Sequence, residues 1–200
     1  MSHLLTDDET GVIQALRARK EEAFAALVRM HHASMLRVAQ IYVSSRAVAE
    51  EVVQETWVAV LGGIDRFEGR SSLQTWLFRI LANRARTIGA KERRSVPVDT
   101  GEGAVDQRRF TSDGQWSAPP VPWPDDVDER LAAAANAKRV RVAIAGLPEG
   151  QRQVVTLRDG EGLSAPEVCE ILGLTEGNQR VLLHRGRSHV RGLVDDVVVG

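Results

Sequence analysis

The stretch Ser164-Ala165-Pro166-Glu167-Val168-Cys169-Glu170-Ile171-Leu172-Gly173-Leu174-Thr175, continued through Glu176 to Arg187, decides how the chain is read. Ser164 and Glu167 stand three apart, the spacing of a capping box at a helix start. Pro166 suits the first turn, where a missing N–H costs nothing. Val168, Ile171 and Leu172 then share one face of a short helix. Gly173 supplies the turn, because glycine takes left-handed φ without a steric penalty. Leu174 can plug the corner, and Thr175 can cap a second helix that runs to about Gly192. A short helix, a glycine turn and a longer basic helix are the parts of a DNA-binding helix-turn-helix, here over residues 164–187.

The second helix sorts its residues by face. Leu182, Leu183, Gly186, Val190 and Leu193 form an inward stripe, and Arg180, His184, Arg187 and Arg191 an outward basic one, with Arg185 beside it. A guanidinium can grip a guanine edge in a fork or hold a phosphate, and the pattern does not choose between the two. Cys169 lies among apolar neighbours and reads as a small buried hydrophobe rather than a redox thiol.

Upstream of this motif the chain is helical from about residue 129, with Val140, Ala143, Ile144 and Leu147 in one stripe and a new helix starting at Pro148. Residues 96–128 differ in kind. They hold five of the seven prolines, with Gly, Ser and Asp between them, and this composition buries too little apolar surface to fold alone. They read as an extended linker carrying Trp116 and Trp123.

Residues 10–95 form a first helical domain. Val48 to Leu61 is one helix, with Ala49, Val52, Val53, Thr56 and Val60 inward and Glu51, Gln54, Glu55 and Val58 on another face. Gly62 and Gly63 stop it. Ser71 or Ser72 caps the next helix, which runs to about Arg94 with Leu73, Trp76, Leu77, Ile80 and Leu81 inward. Arg79, Asn83 and Arg86 share another face. Phe67, Trp76 and Phe78 leave two readings open: core residues, or platforms on which unpaired bases stack.

Charge follows the same division. Residues 70–94 carry seven basic side chains against one acid, residues 97–130 eight acids against three arginines, and residues 176–192 four arginines against one acid. Two basic segments flanking an acidic one hide inside a net charge of −1. Basic segments are the usual footprint of nucleic-acid contact.

The 200 residues are 43% hydrophobic and only 4% aromatic, which favours helices over a β-sandwich. The expected fold class is all-α, two helical domains (10–95 and 129–194) joined by the linker at 96–128. No apolar run approaches a membrane span, and the acidic N-terminus lacks the apolar core of a signal peptide, so a cytoplasmic chain is expected. One cysteine excludes an internal disulfide and a multi-Cys zinc site. His31-His32 and Glu50-Glu51 do not follow a known metal-ligand spacing, and no nucleophile constellation appears. No catalytic residue, metal or cofactor is expected.

Four stretches, in order, give the chain a recognisable form. They are Ala49-Glu50-Glu51-Val52-Val53-Gln54-Glu55-Thr56-Trp57; Phe67-Glu68-Gly69-Arg70 with Leu73 to Asn83; Leu147-Pro148 with Arg152, Val154, Leu157 and Arg158; and Gly160 to Arg187. Together they resemble the bacterial sigma-70 factors of the extracytoplasmic-function (ECF) group. The resemblance implies a sigma factor that binds core RNA polymerase and promoter DNA, with no activity as an enzyme. The first domain would be sigma region 2, a helix bundle docking on the polymerase β and β′ subunits through Glu51, Gln54 and Glu55. Trp76, Arg79, Asn83, Arg84 and Arg86 would melt and read the −10 element. The second domain would be sigma region 4, reading the −35 element through Arg180, His184, Arg185, Arg187 and Arg191. An anti-sigma factor is a further partner that the resemblance allows. Gly177-Asn178-Gln179-Arg180-Val181-Leu182 departs from the Gly-Thr-Val-Lys-Ser-Arg run usual there, which bears on the sequence preferred and not on the role. The alternative is a stand-alone helix-turn-helix regulator that binds operator DNA.

The composition of residues 96–128 predicts that limited proteolysis of the whole chain cuts there first. First cuts within residues 20–90 instead would contradict the division into two domains.

Overall fold

The computed structural model describes residues 7–95 and 139–195. The linker at 96–128 and the start of the second domain lie outside the described residues. Four helices make the first half: α1 (Asp7–Arg17), α2 (Glu21–Ala39), α3 (Arg46–Gly63) and α4 (Leu73–Ser95), with a 3₁₀ turn at Ile64–Arg66 between the last two. The second half holds α5 (residues 139–145), α6 (Glu149–Val155) running into a π turn at Thr156–Gly160, α7 (Ala165–Leu172) and α8 (Glu176–Asp195). No strand occurs among the described residues.

Local chemistry explains the boundaries. Ser45 caps α3, its hydroxyl accepting from the Val48 amide at 3.2 Å. Ser72, not Ser71, caps α4, accepting from the Thr75 amide at 3.1 Å. The capping box of α7 is complete, and Gly173 closes that helix at φ 69°. Thr175 caps α8 through the Asn178 amide at 3.3 Å. The inward face expected for α3 is buried throughout, and Glu51, Gln54, Glu55 and Val58 are exposed.

One open reading is settled and one expectation needs correction. Phe78 is fully buried and Phe67 nearly so, and both belong to the core formed with Leu77, Leu81 and Val53. Neither can stack on a base without leaving that core. The inward stripe of α8 is also shorter than its periodicity implies: Gly186 is buried, but Leu193 is 46% exposed. The helical run that begins with α6 ends at Gly160, where Asp159 meets Arg187, and Leu193 lies further along α8, so the apolar face of α8 outruns it. Gln179 takes a core position instead, at 3% exposure.

The core does not stop at the boundary between halves. Leu163, Val168, Ile171 and Leu172 join the same apolar cluster as Leu77, Leu81 and Met35, because α7 packs on α4. Arg152 of α6 reaches back to the Ile41 carbonyl at 2.8 Å. The two halves therefore lie against each other.

Gly89 lets α4 pass the chain after α2 at close range. A Cβ there would stand 2.0 Å from the Tyr42 carbonyl oxygen, a backbone atom with little room to yield. Gly89→Ala should therefore destabilise by about 1–3 kcal/mol, despite the better helix propensity of alanine. Gly62→Ala, with nothing within 4 Å, should gain up to about 1 kcal/mol. Urea midpoints of the two variants check this; equal shifts would contradict the close approach.

Candidate nucleic-acid interface

The exposed side of α8 gathers the residues that its periodicity places together. Arg180, His184, Arg187 and Arg191, with Leu183 and Ser188, line one shallow groove of about 310 Å³. Arg185 is exposed and lies outside the groove's lining. Arg187 has an acidic partner in this groove. Asp159 grips it with both carboxylate oxygens, Nε to Oδ2 at 2.9 Å and Nη2 to Oδ1 at 2.5 Å. That hydrogen-bonded carboxylate pushes the guanidinium's pKa above its ordinary value. The π turn at Thr156–Gly160 presents Asp159 there, and no periodic signal in the sequence marks it.

In α4 the expected residues fall on several surfaces. Trp76 is half-buried and leans on Phe67, ring centres 5.0 Å apart at 45°. Beside it opens a shallow groove of about 510 Å³ lined by Arg66, Phe67, Glu68, Arg70, Ser71, Trp76, Arg79 and, from the other half, Glu170. Its lining is aromatic at Phe67 and Trp76 and mixed in charge, since Arg70 pairs with Glu68 and Arg79 with Glu170 while Arg66 adds a third guanidinium. Asn83 is exposed one helical turn beyond Arg79. Arg84 pairs with Glu55 of α3 at 3.2 Å, which ties the acidic α3 face to the basic α4 helix. Arg86 is exposed and sits near Tyr42, whose phenol burial pushes up to about 12.

No sequence pattern marks the seam between the halves. Glu167 lies at its centre. Its Oε2 accepts from the Ser164 amide at 2.9 Å and the Ser164 hydroxyl at 2.7 Å. Its Oε1 accepts from the Ser72 hydroxyl at 3.0 Å and the Thr75 hydroxyl at 2.8 Å. One carboxylate thus serves the N-terminal ends of α7 and α4 together. Burial alone would raise its pKa; the hydrogen bonds from Ser164, Thr75 and Ser72 outweigh that and hold it below the ordinary value. Around it, Glu170 pairs with Arg79 at 3.0 Å. Glu161, its side chain almost fully buried, takes Arg37 with both oxygens, at 2.9 and 3.1 Å.

The capping-box motif points to Glu167 in the sequence, but only as a partner of Ser164. Its second set of partners lies over 90 residues away in the chain. His31 packs edge-on against Phe78 at 6.4 Å, and no cluster of three or more His, Cys, Asp or Glu fit for a metal occurs among the described residues.

Comparisons with known proteins find two family regions in the chain. Residues 27–95 match the family described as Sigma-70 region 2, and residues 137–190 that described as Sigma-70, region 4. The ECF RNA polymerase sigma-E factor of Escherichia coli (strain K12) is 28% identical over 200 residues, covering 99% of each chain. The ECF RNA polymerase sigma factor ShbA of Streptomyces griseus is 29% identical over 202 residues, 96% of this chain and 100% of the other. Among solved structures, CnrH in complex with the cytosolic domain of CnrY superposes with a TM-score of 0.63 at 23% identity, over 95% of this chain and 99% of that one. The sigma factor RpoE of Bartonella quintana, solved with the anti-sigma factor NepR, gives 0.60 at 23% identity, over 86% and 96%.

The lowered pKa of Glu167 carries a pH dependence with a definite sign. A group whose folded pKa lies below its unfolded one stabilises above the unfolded value and ceases to do so as pH falls through the folded value. Wild type should therefore exceed Glu167→Ala by about 1 kcal/mol at neutral pH. The gap should shrink once the pH drops below the ordinary glutamate value of 4.5. Urea unfolding of both chains at a series of pH values checks this; a gap independent of pH would contradict it.

Proposed function

Since the chain belongs to the extracytoplasmic-function group of the sigma-70 family and so directs transcription, we propose that its two halves divide promoter recognition between them. Region 2, proposed to span residues 10–95, binds core RNA polymerase through Glu51, Gln54 and Glu55. Exposure of these three beside Val58, itself 72% exposed, supports that reading. A polar face with an exposed apolar residue among its charges is the composition of a docking surface.

The observation that carries the −10 assignment is the groove where Trp76 and Arg79 meet. A flipped base has to be unstacked at a few kcal/mol, and a pocket that receives it holds the opened state. In this reading Trp76 offers the ring, Arg79, Arg84 and Arg86 hold the backbone, and Asn83 contacts a base edge. Region 4, proposed to span residues 129–194, lays α8 in the major groove of the −35 element, with Arg180, His184, Arg185, Arg187 and Arg191 toward DNA. Asp159 keeps the Arg187 guanidinium plane fixed, so less rotamer entropy is lost on contact. The linker at 96–128 connects the two within the polymerase.

A stand-alone operator-binding regulator is not favoured, because the first half matches region 2 as well as the second matching region 4. Sigma factors are not enzymes. No helix among the described residues is long and apolar enough to cross a membrane, and the chain is proposed to act in the cytoplasm. An anti-sigma factor is a candidate partner.

Two experiments test this division. Glu51→Lys with Glu55→Lys should weaken retention on core polymerase while the circular-dichroism spectrum stays helical; unchanged retention would refute the assignment. Asn83→Ala should reduce permanganate reactivity of −10 thymines and spare protection of the upstream duplex. Arg187→Ala should weaken that upstream contact by about 1–3 kcal/mol if the side chain reads a base, and less, uniformly across sequences, if it holds a phosphate. Loss of upstream protection with Asn83→Ala, melting remaining normal, would reverse the roles.

A further inference from the structure

The loop that lines the groove beside Trp76 is held from behind by the first helix. Arg17, the last residue of α1, donates from Nε to the Ile64 carbonyl at 3.4 Å and from Nη2 to the Phe67 carbonyl at 2.5 Å. Its fork thus spans the 3₁₀ turn at Ile64–Arg66 from end to end. Two residues on, Arg19 reaches the same turn, donating to the Leu61 carbonyl and pairing with Asp65 at 2.6 Å. Near the start of α1, Glu9 accepts from the Leu73 amide, the first of α4. Ile13 and Leu16, between these contacts, are buried in one core with Ile64, Phe67 and Leu73. Residues 64–73 are therefore tied at both ends to the same helix. Arg66, Phe67 and Arg70 of this loop line the groove, and the Phe67 ring backs Trp76. Arg17, Arg19 and Glu9 do not line it.

We propose that α1 is a clamp for this loop, with Arg17, Arg19 and Glu9 as positioning residues that hold Arg66, Phe67 and Arg70 ready for an unpaired promoter strand. The proposal rests on the reading of the groove as the place of −10 capture. A strand that binds a loose loop must also order it, whereas a loop fixed beforehand loses less entropy on contact. The backbone of Arg19 carries a second sign of the clamp. Among the described residues it is the one non-glycine position with positive φ, at 56°. That left-handed conformation strains a residue bearing a Cβ, and the strain persists where neighbouring contacts hold it. Here those contacts are the Leu61 carbonyl and the Asp65 carboxylate. The ion pair is half exposed, so it adds little to stability. What it does fix is the place of the turn that carries Arg66 and leads into Phe67.

The test uses the full chain assembled with core polymerase on a promoter that it opens. Arg17→Lys keeps the charge but cannot span two carbonyls. Arg19→Gly removes the tie to Asp65 and relieves the left-handed strain. Each should lower permanganate reactivity of −10 thymines about threefold, and the two together on the order of tenfold, the worth of one or two lost hydrogen bonds. Protection of the upstream duplex and retention on core polymerase should stay as in wild type. In the free chain, amide exchange over residues 64–73 should quicken in both variants. The urea midpoint of Arg19→Gly should not fall, because glycine takes that φ without strain. Reduced opening at an undiminished midpoint is what a merely structural contact would not produce. Wild-type reactivity in the paired variant, or unchanged amide exchange over residues 64–73, overturns the proposal. So does a midpoint of Arg19→Gly that falls in step with its reactivity. Arg79→Ala judges the reading of the groove apart. Normal opening with Arg79→Ala removes that reading and the clamp with it; lost opening there, beside normal opening in the paired variant, sinks the clamp alone.

Discussion

The carboxylate of Glu167 holds the described structure to its arrangement. It closes the capping box of α7 with Ser164 and, with its other oxygen, accepts from Ser72 and Thr75 at the start of α4. Helix N-termini leave amide donors unpaired and carry partial positive charge, so an anion is favoured at each. Here one anion accepts from the Ser164 amide at the start of α7 and from the Ser72 and Thr75 hydroxyls at the start of α4, whose Leu73 amide donates to Glu9. Beside Glu167, Val168, Ile171 and Leu172 bury their side chains in the core shared with α4. The ion pairs Arg79–Glu170 and Arg37–Glu161 then fall into place on either side.

Function in this chain depends on where charge is exposed rather than on its sum, which is −1. Of the arginines of α8, Arg180, Arg187 and Arg191 line one groove, where, among the described residues, Arg187 alone is met by an acid, Asp159. Those of α4 are met by acids: Glu55 of α3 at Arg84 and Glu170 of α7 at Arg79. A basic surface kept beside its own carboxylates is less sticky to any passing nucleic acid, and specificity is gained by making wrong contacts costly.

Much of the fold is legible in the sequence because its signals are local. The cap, the Pro166 start, the Gly173 turn and the alternating faces of α3 depend on neighbours within a few residues, and the structure places them as expected. The grouping of Arg180, His184, Arg187 and Arg191 follows from helical spacing alone. The features that escape the sequence depend on partners remote in the chain. Periodicity assigns a residue to a side of its helix but does not name what lies opposite. It therefore leaves Phe78 open as a stacking platform when that ring is core, and it turns Leu193 inward where the helical run from α6 to Gly160 ends too early to cover it. Asp159 carries no pattern, and the need for Gly89 arises only once Tyr42 is brought against it. The roles of Glu161, Glu167 and Glu170 belong to the same class, being set by tertiary contact.

In the proposed reading, promoter recognition turns on one exchange: the seam between α4 and α7 gives way to contacts with polymerase and promoter. Amide hydrogen exchange, measured residue by residue on the free chain and on the chain bound to core polymerase, reads both sides of it at once, because protection reports local opening. Binding should lower protection at the first turns of α4 and across Ala165–Leu172, while residues 51–58 of α3 gain protection. Unchanged protection in α4 and α7, together with no gain in α3, would contradict the exchange.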